Sequence, residues 1–590
     1  MTVTPGPLPV QRGRRAAGTW LRASDSGLLA ISLAVGVGAG LGAVAFRWLI
    51  RVFTEILSGH ADYAAAGHAP HPALPEFGMW FVVGAPVVAG LVYGPLVYFF
   101  AREARGHGVP EVMYAVAQRG GRIAPKVAVV KALASAMCIG GGGSVGREGP
   151  IVQIGSALGS TLGSLARLNE ERMRVVVACG AAGGIAATFN APLAGVFFAM
   201  ELILSDFAAR SFGMVVVSSV TASVIGRGVF GNHPFLALPP FAVVHVWEYL
   251  PFAALGVIAG GIGAMFTRVL YAVEDACDTV WRGPEWARPA VGGVLLGLLL
   301  LAVPQMYGVG YPVLGDGVSG KYALGFLLLL MVAKMFATSL TIGIGGSGGV
   351  FAPSLFVGAM LGAAYGQGLQ HLVPGLVGQA GAFGLIGMGA VFAGAARAPI
   401  TAVVIMFELT DEYSIILPLM VAIVLATGVG NLLTADTVYT LKLRRRGVDL
   451  TRPASSTARA LTLPVSAVMG AVPQPLPQSM PLWQAAERLR EVPDTILPVV
   501  DDQGAYRGVV TGRAVADVLT SEHGEDKLVS DATDTPPSVR TSQTVEECIE
   551  LLDHVGTAVV PVVDGSQLVG WLTASMLLTA IRPSGSDPLP

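Results

Sequence analysis

Two stretches of this 590-residue chain follow the same plan and decide its fold. Residues 131–150 read KALASAMCIGGGGSVGREGP, and residues 334–353 read KMFATSLTIGIGGSGGVFAP. In both, a lysine opens an apolar run, glycines crowd into the last third, and a proline closes the stretch nineteen residues after the lysine. Because the same unusual glycine cluster occurs twice, we predict that the chain contains two related halves.

A second pair of matching segments lies downstream. Ala191 opens APLAGVFFAMEL and Ala398 opens APITAVVIMFEL, so Glu201 and Glu408 follow their prolines at the same distance. We interpret both glutamates as structural. Internal symmetry in an apolar chain is typical of transporters and channels, whose sites lie near mid-membrane where interrupted helices of the two repeats meet.

The composition is that of a polytopic membrane protein. Hydrophobic residues make up 53% of the chain and charged residues 13%, and the mean hydropathy is +0.64. Soluble domains carry about 25% charged residues. The formal net charge of −2 gives no indication of a nucleic-acid partner. The four cysteines lack paired or metal-ligand spacing, so we predict neither a disulfide framework nor a metal site.

The flanks of the apolar region predict its orientation. Residues 1–26 carry four arginines, and the apolar run that follows, 27–50, is too long for a signal peptide. Another basic run, 442–446, follows the last apolar segment. By the positive-inside rule, we expect a cell-membrane protein with both ends of the chain in the cytoplasm.

The membrane region, residues 27–446, divides into repeat halves at about 27–230 and 248–440. Many of its apolar segments are shorter than the about 18 residues that an untilted helix needs to cross the hydrocarbon. Several helices are therefore expected to stop inside the membrane, with their ends against protein or a water-filled cavity. We predict an all-α domain of broken helices.

The rest of the chain is polar and differs in character. Residues 447–461 are predicted to be a linker, 462–583 a soluble α/β region, and 584–590 a tail. LPVVDDQGAYRGVVTGRAVADVL begins at Leu497, and VPVVDGSQLVGWLTASMLLTAI begins at Val560. This recurrence of strand, turn, strand and helix resembles a tandem pair of cytoplasmic CBS domains.

Nucleotide binding by this pair is disfavoured. In the CBS family, a nucleotide-binding repeat often has an acidic residue three positions after the threonine of the second strand. Here Thr511 leads to Ala514, and Thr573 leads to Met576. We therefore favour a structural or gating tail, with an adenine nucleotide at the CBS pair as the alternative.

The glycine clusters favour an anion site. A helix start has unpaired N–H groups and carries about half a positive charge, and glycine lets an ion approach those amides. If the helices that begin after GSVGREGP and GGSGGVFAP face one point, they bind an anion there weakly enough for conduction. Glycine for close helix packing alone is the alternative.

Glu148 is the candidate gate of this site. A carboxylate among glycines at a helix start is itself an anion, so it can occupy the site that it guards. Protonation neutralises the carboxylate and weakens its hold on the amides, so opening should increase as pH falls. The alternative is a structural carboxylate paired with Arg147 or Lys131.

Three motifs in order, GHGVPE at 106–111, GREGP at 146–150 and GVFAP at 349–353, together with Tyr439, resemble the CLC family of chloride channels and transporters. The resemblance covers about residues 27–446. It implies a homodimer with a separate anion pore in each subunit, each pore being built from an inverted repeat. A C-terminal CBS pair is a known appendage in this family.

The resemblance also implies roles for individual residues. Glu148 would gate the pore and take part in the proton pathway, and Lys131 would support the site electrostatically. The other residues would bind the anion, mainly through backbone amides and the Tyr439 hydroxyl. They are Arg147 and Gly149 at the outer site, and Val350, Phe351, Ala352 and Tyr439 at the central site.

His107 departs from the family pattern, which usually places a serine hydroxyl at this position facing the central anion. Imidazole donates one hydrogen bond when neutral and adds a full charge when protonated near physiological pH. We hypothesise that His107 lines the inner pore, binds the anion and makes transport pH-dependent. The alternative is a ring that is turned away from the pore and bonded to backbone.

Leu202 is the second departure, because proton-coupled exchangers of the family commonly carry an acid directly after the position of Glu201. Leucine cannot relay a proton, and family channels also carry an apolar residue there. We therefore favour passive conduction of chloride or similar anions past Glu148. The alternative is a proton-coupled antiporter that uses Glu148 and another inner route, through His107 or water.

Two other classes of protein fit less well. A CBS-regulated divalent cation transporter would need carboxylates facing each other in mid-membrane, and the glycine-flanked helix starts argue against it. An enzyme would need a nucleophile and base or a metal set such as HExxH in the spans, and we find none. Among anions, GREGP and GVFAP follow the chloride-type pattern, which disfavours fluoride.

Overall fold

The structure is a computed structural model that describes residues 24–67, 69–232, 246–373, 379–448, 461, 463–492, 495–521, 526–555 and 559–581. The chain divides into two compact units, Met1–Asp449 and Leu450–Pro590. In their described residues the first unit is helical and the second combines strands with helices. The predicted segment up to residue 23, most of the predicted linker and the tail at 584–590 lie outside the described residues.

The first unit is a succession of helices joined by short loops. Its first half contains α1 (Asp25–Ser58), α2 (Tyr63–Ala66), α3 (Phe81–Phe100), α4 (Val109–Gln118), α5 (Pro125–Gly140), α6 (Glu148–Leu165), α7 (Glu170–Phe189), α8 (Pro192–Phe198), which continues as a π-helical turn (Ala199–Leu204), and α9 (Ala209–Phe230). Its second half contains α10 (Tyr249–Val280), α11 (Arg288–Ala302), α12 (Tyr311–Val318), α13 (Leu324–Gly343), α14 (Phe351–Leu372), α15 (Ala380–Ala396), α16 (Pro399–Thr410) and α17 (Ile416–Leu433), followed by α18 (Thr440–Arg445).

The helix order α1 and α3–α9 recurs as α10–α17, which confirms the predicted repeat. α7 and α15 both end at a residue in the left-handed conformation, Asn190 at φ 60° and Arg397 at φ 54°. α6 packs on α7, and α14 packs on α15, through glycines that leave no space for a side chain. A Cβ on Gly180 would lie 2.0 Å from the carbonyl oxygen of Gly155, and Gly387 meets Gly358 in the same way in the second half.

Several helices are too short to cross a membrane, as predicted. α4 has 10 residues and α12 has 8, whereas seven helices in the described part of the chain are long and apolar enough to cross. The run predicted at 27–50 is longer than expected, since α1 continues to Ser58. Its added turns carry an Arg51–Glu55 ion pair at 2.7 Å, and Gly59 ends the helix at φ 72°.

The helices of the two glycine loops begin inside their motifs, not after them as the sequence suggested. α6 begins at Glu148 and α14 at Phe351, each two residues before the proline. Proline is compatible with the first turn of a helix, because the amide that it lacks has no partner within the helix there. Glu148 therefore belongs to the first turn of its own helix.

Glu201 and Glu408 tie the two halves together. The carboxylate of Glu408 accepts the N–H groups of Leu193 and Ala194, at 2.9 and 2.6 Å, at the start of α8. Glu201 accepts the N–H groups of Ile400 and Thr401, at 3.1 and 2.8 Å, at the start of α16. Each half thus supplies the anionic acceptor for the helix start of the other half.

We expect Glu408→Ala to lower the free energy of unfolding by roughly 2 kcal/mol, because two amides at a helix start lose a charged acceptor. Thermal unfolding in detergent measures the effect, and Glu201→Ala should show a similar loss. Glu76→Ala, at an exposed residue, is the control. Unchanged unfolding midpoints for both Glu408→Ala and Glu201→Ala would contradict this crosswise arrangement.

The second unit contains two strand-turn-strand-helix repeats, as predicted. Strands β1 (Leu476–Pro477), β2 (Ile496–Val500), β3 (Tyr506–Thr511) and β4 (Thr533–Asp534) form one sheet in that order, and β5 (Val559–Asp564) pairs with β6 (Gln567–Thr573). The helices are α19 (Leu482–Arg490), α20 (Gly512–Leu519), α21 (Val545–Val555) and α22 (Ala574–Ile581). β2 and β3 are antiparallel, as are β5 and β6.

The equivalent position of the two threonines in these repeats has a structural explanation. The Thr511 hydroxyl accepts the N–H of Ala514 at 3.1 Å, and the Thr573 hydroxyl accepts the N–H of Met576 at 3.3 Å. Both threonines therefore stabilise the start of the helix that follows the second strand. Val509, Val559 and Trp571 form a small buried cluster that joins the two repeats.

Candidate anion pathway

The two glycine loops of the first unit pair through their backbones. The N–H of Gly146 donates to the carbonyl of Gly349 at 2.7 Å, and the N–H of Gly349 donates to the carbonyl of Gly146 at 2.6 Å. α6 and α14 each begin two residues after the bonded glycine. The two helix starts, with their partial positive charges, therefore lie next to each other inside the protein.

Two glycines allow other groups to reach these helix starts. A Cβ on Gly149 would lie 1.9 Å from the carbonyl oxygen of His107, and a Cβ on Gly146 would lie 1.9 Å from Oε2 of Glu148. Any larger residue would displace either the His107 backbone or the Glu148 carboxylate. The glycine clusters predicted that an anion approaches the amides of these helix starts. In the structure, the anion that does so is the Glu148 carboxylate.

Glu148 is 1% exposed and its carboxylate lies against the start of α14. Oε1 accepts the Tyr311 hydroxyl at 2.6 Å, and Oε2 lies 3.4 Å from the N–H of Ala352. The long second contact leaves this amide only weakly bonded. The carboxylate therefore lies at the helix start where the sequence analysis predicted an anion site.

Further donors around this point have no partner in the described residues. The backbone N–H groups of Val350 and Phe351 meet no acceptor there. Tyr439 is buried, and its hydroxyl also makes no hydrogen bond with a described residue. Unpartnered buried donors beside a helix start are a suitable environment for a small anion.

Tyr311 is a site residue that sequence reasoning missed. It donates to Glu148, and its ring centroid lies 5.3 Å from the guanidinium carbon of the buried Arg147. A signal was available, since GVGYP at 308–312 repeats GHGVP at 106–110. The glycines at the first and third positions of both motifs have positive φ, between 64° and 87°.

The two repeat lysines hold these motifs in place. The Nζ atom of Lys131 donates to the carbonyls of Ala104 and Gly106, at 2.9 and 2.7 Å. Lys334 donates to the carbonyls of Gly308 and Val309, at 3.1 and 3.0 Å, and to Ser144. Lys131 is therefore bonded to the loop before α4 and not to Glu148, so the paired alternative for Glu148 fails for this lysine.

His107 is 1% exposed, and neither ring nitrogen has a hydrogen-bond partner among the described residues. This contradicts the alternative of a ring bonded to backbone. The ring packs edge-on against Tyr271, with centroids 6.2 Å apart. Tyr271 is itself fixed by a 2.9 Å hydrogen bond from its hydroxyl to the carbonyl of Val438, next to Tyr439.

Leu202 lies in the π-helical turn that follows α8 and is buried. This turn packs against α4, whose start carries the GHGVP motif. The position next to Glu201 is therefore close to the loop of His107, but it has no titratable group.

A cavity of about 270 Å³ adjoins the His107 loop, and the sequence did not predict it. Basic side chains dominate its wall, and the carboxylates of Glu274 and Asp278 offset only part of the charge. The remaining lining residues are Arg102, Arg105, Tyr271, Lys442, Arg445 and Arg446. The Nζ atom of Lys442 lies 2.6 Å from where a Cβ on Gly106 would be. We call this cavity the basic vestibule.

The two halves mirror each other, and their helix starts meet at a buried carboxylate. Together with the basic vestibule, these features are those of a membrane anion-transport protein. Residues 89–431 match the family model described as voltage-gated chloride channel, and residues 465–521 and 529–583 match CBS domain models. A putative chloride channel protein, ClcB-like, from Ralstonia nicotianae is 34% identical over 435 residues, which cover 73% of this chain and all of that relative. The H(+)/Cl(−) exchange transporter ClcA of Vibrio parahaemolyticus is 35% identical over 59% of this chain and 76% of its own length.

Solved structures show the same fold. A slow cyanobacterial Cl−/H+ antiporter aligns with a TM-score of 0.65 and 25% identity over 72% of this chain and 99% of that one. A eukaryotic CLC transporter aligns over 92% of this chain and 97% of its own, with a TM-score of 0.61 and 21% identity. The chain therefore belongs to the CLC family of anion-transport proteins and carries a C-terminal pair of CBS domains. This assignment excludes the CBS-regulated divalent cation transporter, which was the distant alternative.

Proposed function

We propose that this protein exchanges chloride for protons across the membrane, with Glu148 as both gate and proton carrier. The observation that carries the proposal is the Glu148 carboxylate lying at the start of α14, where it takes the place of an anion. For chloride to enter this place, the carboxylate must leave, and a proton that neutralises it favours that departure. Anion entry and proton binding are then linked at one residue.

The comparisons support exchange over the passive conduction that Leu202 led us to favour. The ClcA relative is named an exchange transporter, and the cyanobacterial structure is titled an antiporter, although the Ralstonia relative is named a putative channel. In the proposed route, Val350, Phe351, Ala352 and the Tyr439 hydroxyl bind the central anion. Arg147 and Gly149 serve an outer site, and the basic vestibule collects anions at the inner end.

The same proposal includes a homodimer in the cell membrane with both chain ends in the cytoplasm. Support comes from the basic residues on either side of the membrane unit and from apolar faces on α9 and α17. Val224 on α9 is 63% exposed, and Leu417 and Val424 on α17 are 65% exposed. Each subunit would carry its own pore, with the CBS pair as a structural or gating appendage.

Exchange is tested by reconstituting the full chain in liposomes and measuring the reversal potential under a proton gradient at equal chloride. A passive anion pore gives a potential near zero, because protons do not move through it. For an exchanger, we expect a shift of tens of millivolts for a tenfold proton gradient, bounded by about 59 mV. A potential that stays at zero while chloride efflux continues would contradict the proposal and restore passive conduction.

A further inference from the structure

Proton exchange leaves a gap at the inner end of the pathway, and the inference below rests on the proposed function. Leu202 occupies the position where an acid was expected, in a buried π-helical turn. A leucine side chain has no atom that binds a proton. A proton that arrives from the inner side therefore needs another acceptor between the vestibule and Glu148.

His107 is a buried titratable residue at this end of the pathway. Both of its ring nitrogens are enclosed and make no hydrogen bond with a described residue. Buried polar atoms are rarely left in this state, since each one loses its hydration without compensation. A mobile species, such as water, an anion or a proton donor, therefore belongs next to the ring.

Two residues of the vestibule lie next to the ring or its loop. Tyr271 lines the vestibule and packs edge-on against His107. Lys442 lines it as well and contacts the neighbouring Gly106. Tyr271 and Lys442 therefore lie between the ring and the vestibule.

On the other side, His107 adjoins the helix start that carries Glu148. Its carbonyl oxygen lies against Gly149, at the distance that excludes a Cβ there. Gly149 follows Glu148 directly in the first turn of α6. The loop that carries the imidazole therefore lies between Lys442 of the vestibule and the helix start of the gating carboxylate.

Charged and titratable groups face His107 from every element packed around it. Lys131 on α5, Lys442 on α18 and the adjoining Arg446 contribute positive charge, and Arg446 is paired with Glu111 of α4 at 2.7 Å. Tyr271 comes from α10. These cations disfavour a further positive charge on the His107 ring. A chloride ion bound beside the ring offsets their effect. Protonation of His107 should therefore follow occupation of the site by an anion.

We propose that His107 is the inner proton acceptor of the exchange cycle, in place of the missing acid at position 202, and that it also donates to the central anion. A hydronium ion from the inner solution gives its proton to the free ring nitrogen, which forms imidazolium and leaves water. The other ring nitrogen then releases its proton, through water, to the Glu148 carboxylate. The ring returns to the neutral state with its proton on the nitrogen that faced the vestibule, and reorientation of the ring turns this N–H toward Glu148 for the next cycle.

His107→Gln tests the proposal, because an amide retains a hydrogen-bond donor for the anion but does not take up a proton. Proton and chloride fluxes are measured in the same liposomes, and we expect proton flux per chloride to fall by about a hundredfold, the lower range for loss of a positioned proton-transfer group. His107→Ser should behave in the same way, and serine is the usual family residue there, so this variant guards against misfolding. Adding Leu202→Glu to His107→Gln should restore proton flux, whereas adding Leu202→Gln should not.

His371→Gln is the matched control, because this histidine is exposed in the last turn of α14. Two failures are distinguishable. If the unmodified protein moves no protons, the proposed exchange fails and this inference fails with it. If the unmodified protein exchanges protons and both His107 variants retain its proton-to-chloride ratio, exchange stands and the role of His107 is overturned.

Discussion

Glu148→Gln should abolish proton movement and leave chloride flux that no longer responds to pH. Glutamine has the shape of the protonated acid, so it does not take up or release a proton and does not compete as an anion for the start of α14. It still has an oxygen for the 2.6 Å hydrogen bond from Tyr311. Loss of the proton carrier should lower proton flux by at least about a hundredfold, measured as uphill proton transport driven by a chloride gradient.

The control for this experiment is Glu76→Gln, at an exposed carboxylate outside the pathway. It tests whether loss of any negative charge alters coupling. Glu148 would lose its assigned role if the glutamine variant still drove protons against their gradient. A variant that is inactive for chloride as well would contradict its role as a gate, because a neutral side chain should yield the place to the anion.

Gly149→Ala should reduce chloride affinity by at least about tenfold, since overpacking costs about 1–3 kcal/mol and 1.4 kcal/mol corresponds to a factor of ten. The added methyl group would lie 1.9 Å from the carbonyl oxygen of His107. The methyl group is attached directly to the backbone of α6 and the carbonyl belongs to the backbone of the His107 loop, so relief requires the loop before α4 to move away from the start of α6. Chloride binding to the purified protein by calorimetry measures the loss.

Gly84→Ala in α3 is the matched control, because nothing lies within 4 Å of the position of its Cβ. The same change at this exposed helical site should be neutral or slightly stabilising, since alanine favours a helix by about 1 kcal/mol over glycine. Equal chloride affinity in the two alanine variants would show that the His107 loop is not tightly packed against the helix start.

Much of the fold could be predicted from sequence because its symmetry is written in residues that have few substitutes. A lysine in an apolar run, a glycine cluster and a proline mark the same three structural events in both halves: a buried tether, a close approach and a helix start. In the same way, the pattern that begins at Leu497 and recurs 63 residues later at Val560 identified the α/β unit that follows the membrane region. Glu148 could be singled out because a carboxylate rarely follows glycines in apolar sequence.

Other parts of the site depend on tertiary packing. Tyr311 is at the fourth position of GVGYP, where the matching motif GHGVP has Val109. Only the folded chain places the Tyr311 hydroxyl 2.6 Å from Glu148. The basic vestibule draws Arg102, Tyr271 and Lys442 from three distant parts of the chain. For Lys131, the residue type suggested a general electrostatic role, but its direct contacts are two backbone carbonyls. Hydrogen-bond partners of this kind have no pattern in a single sequence.

The crosswise glutamates have a consequence for biosynthesis. The start of α8 receives its carboxylate from Glu408, a residue that the ribosome adds more than two hundred positions later. A nascent chain released before that point holds two bare amides in a lipid-like surrounding, which is unfavourable. We therefore expect the amino-terminal half to stay loosely assembled during insertion, as a substrate for quality-control proteases, until translation has delivered its counterpart.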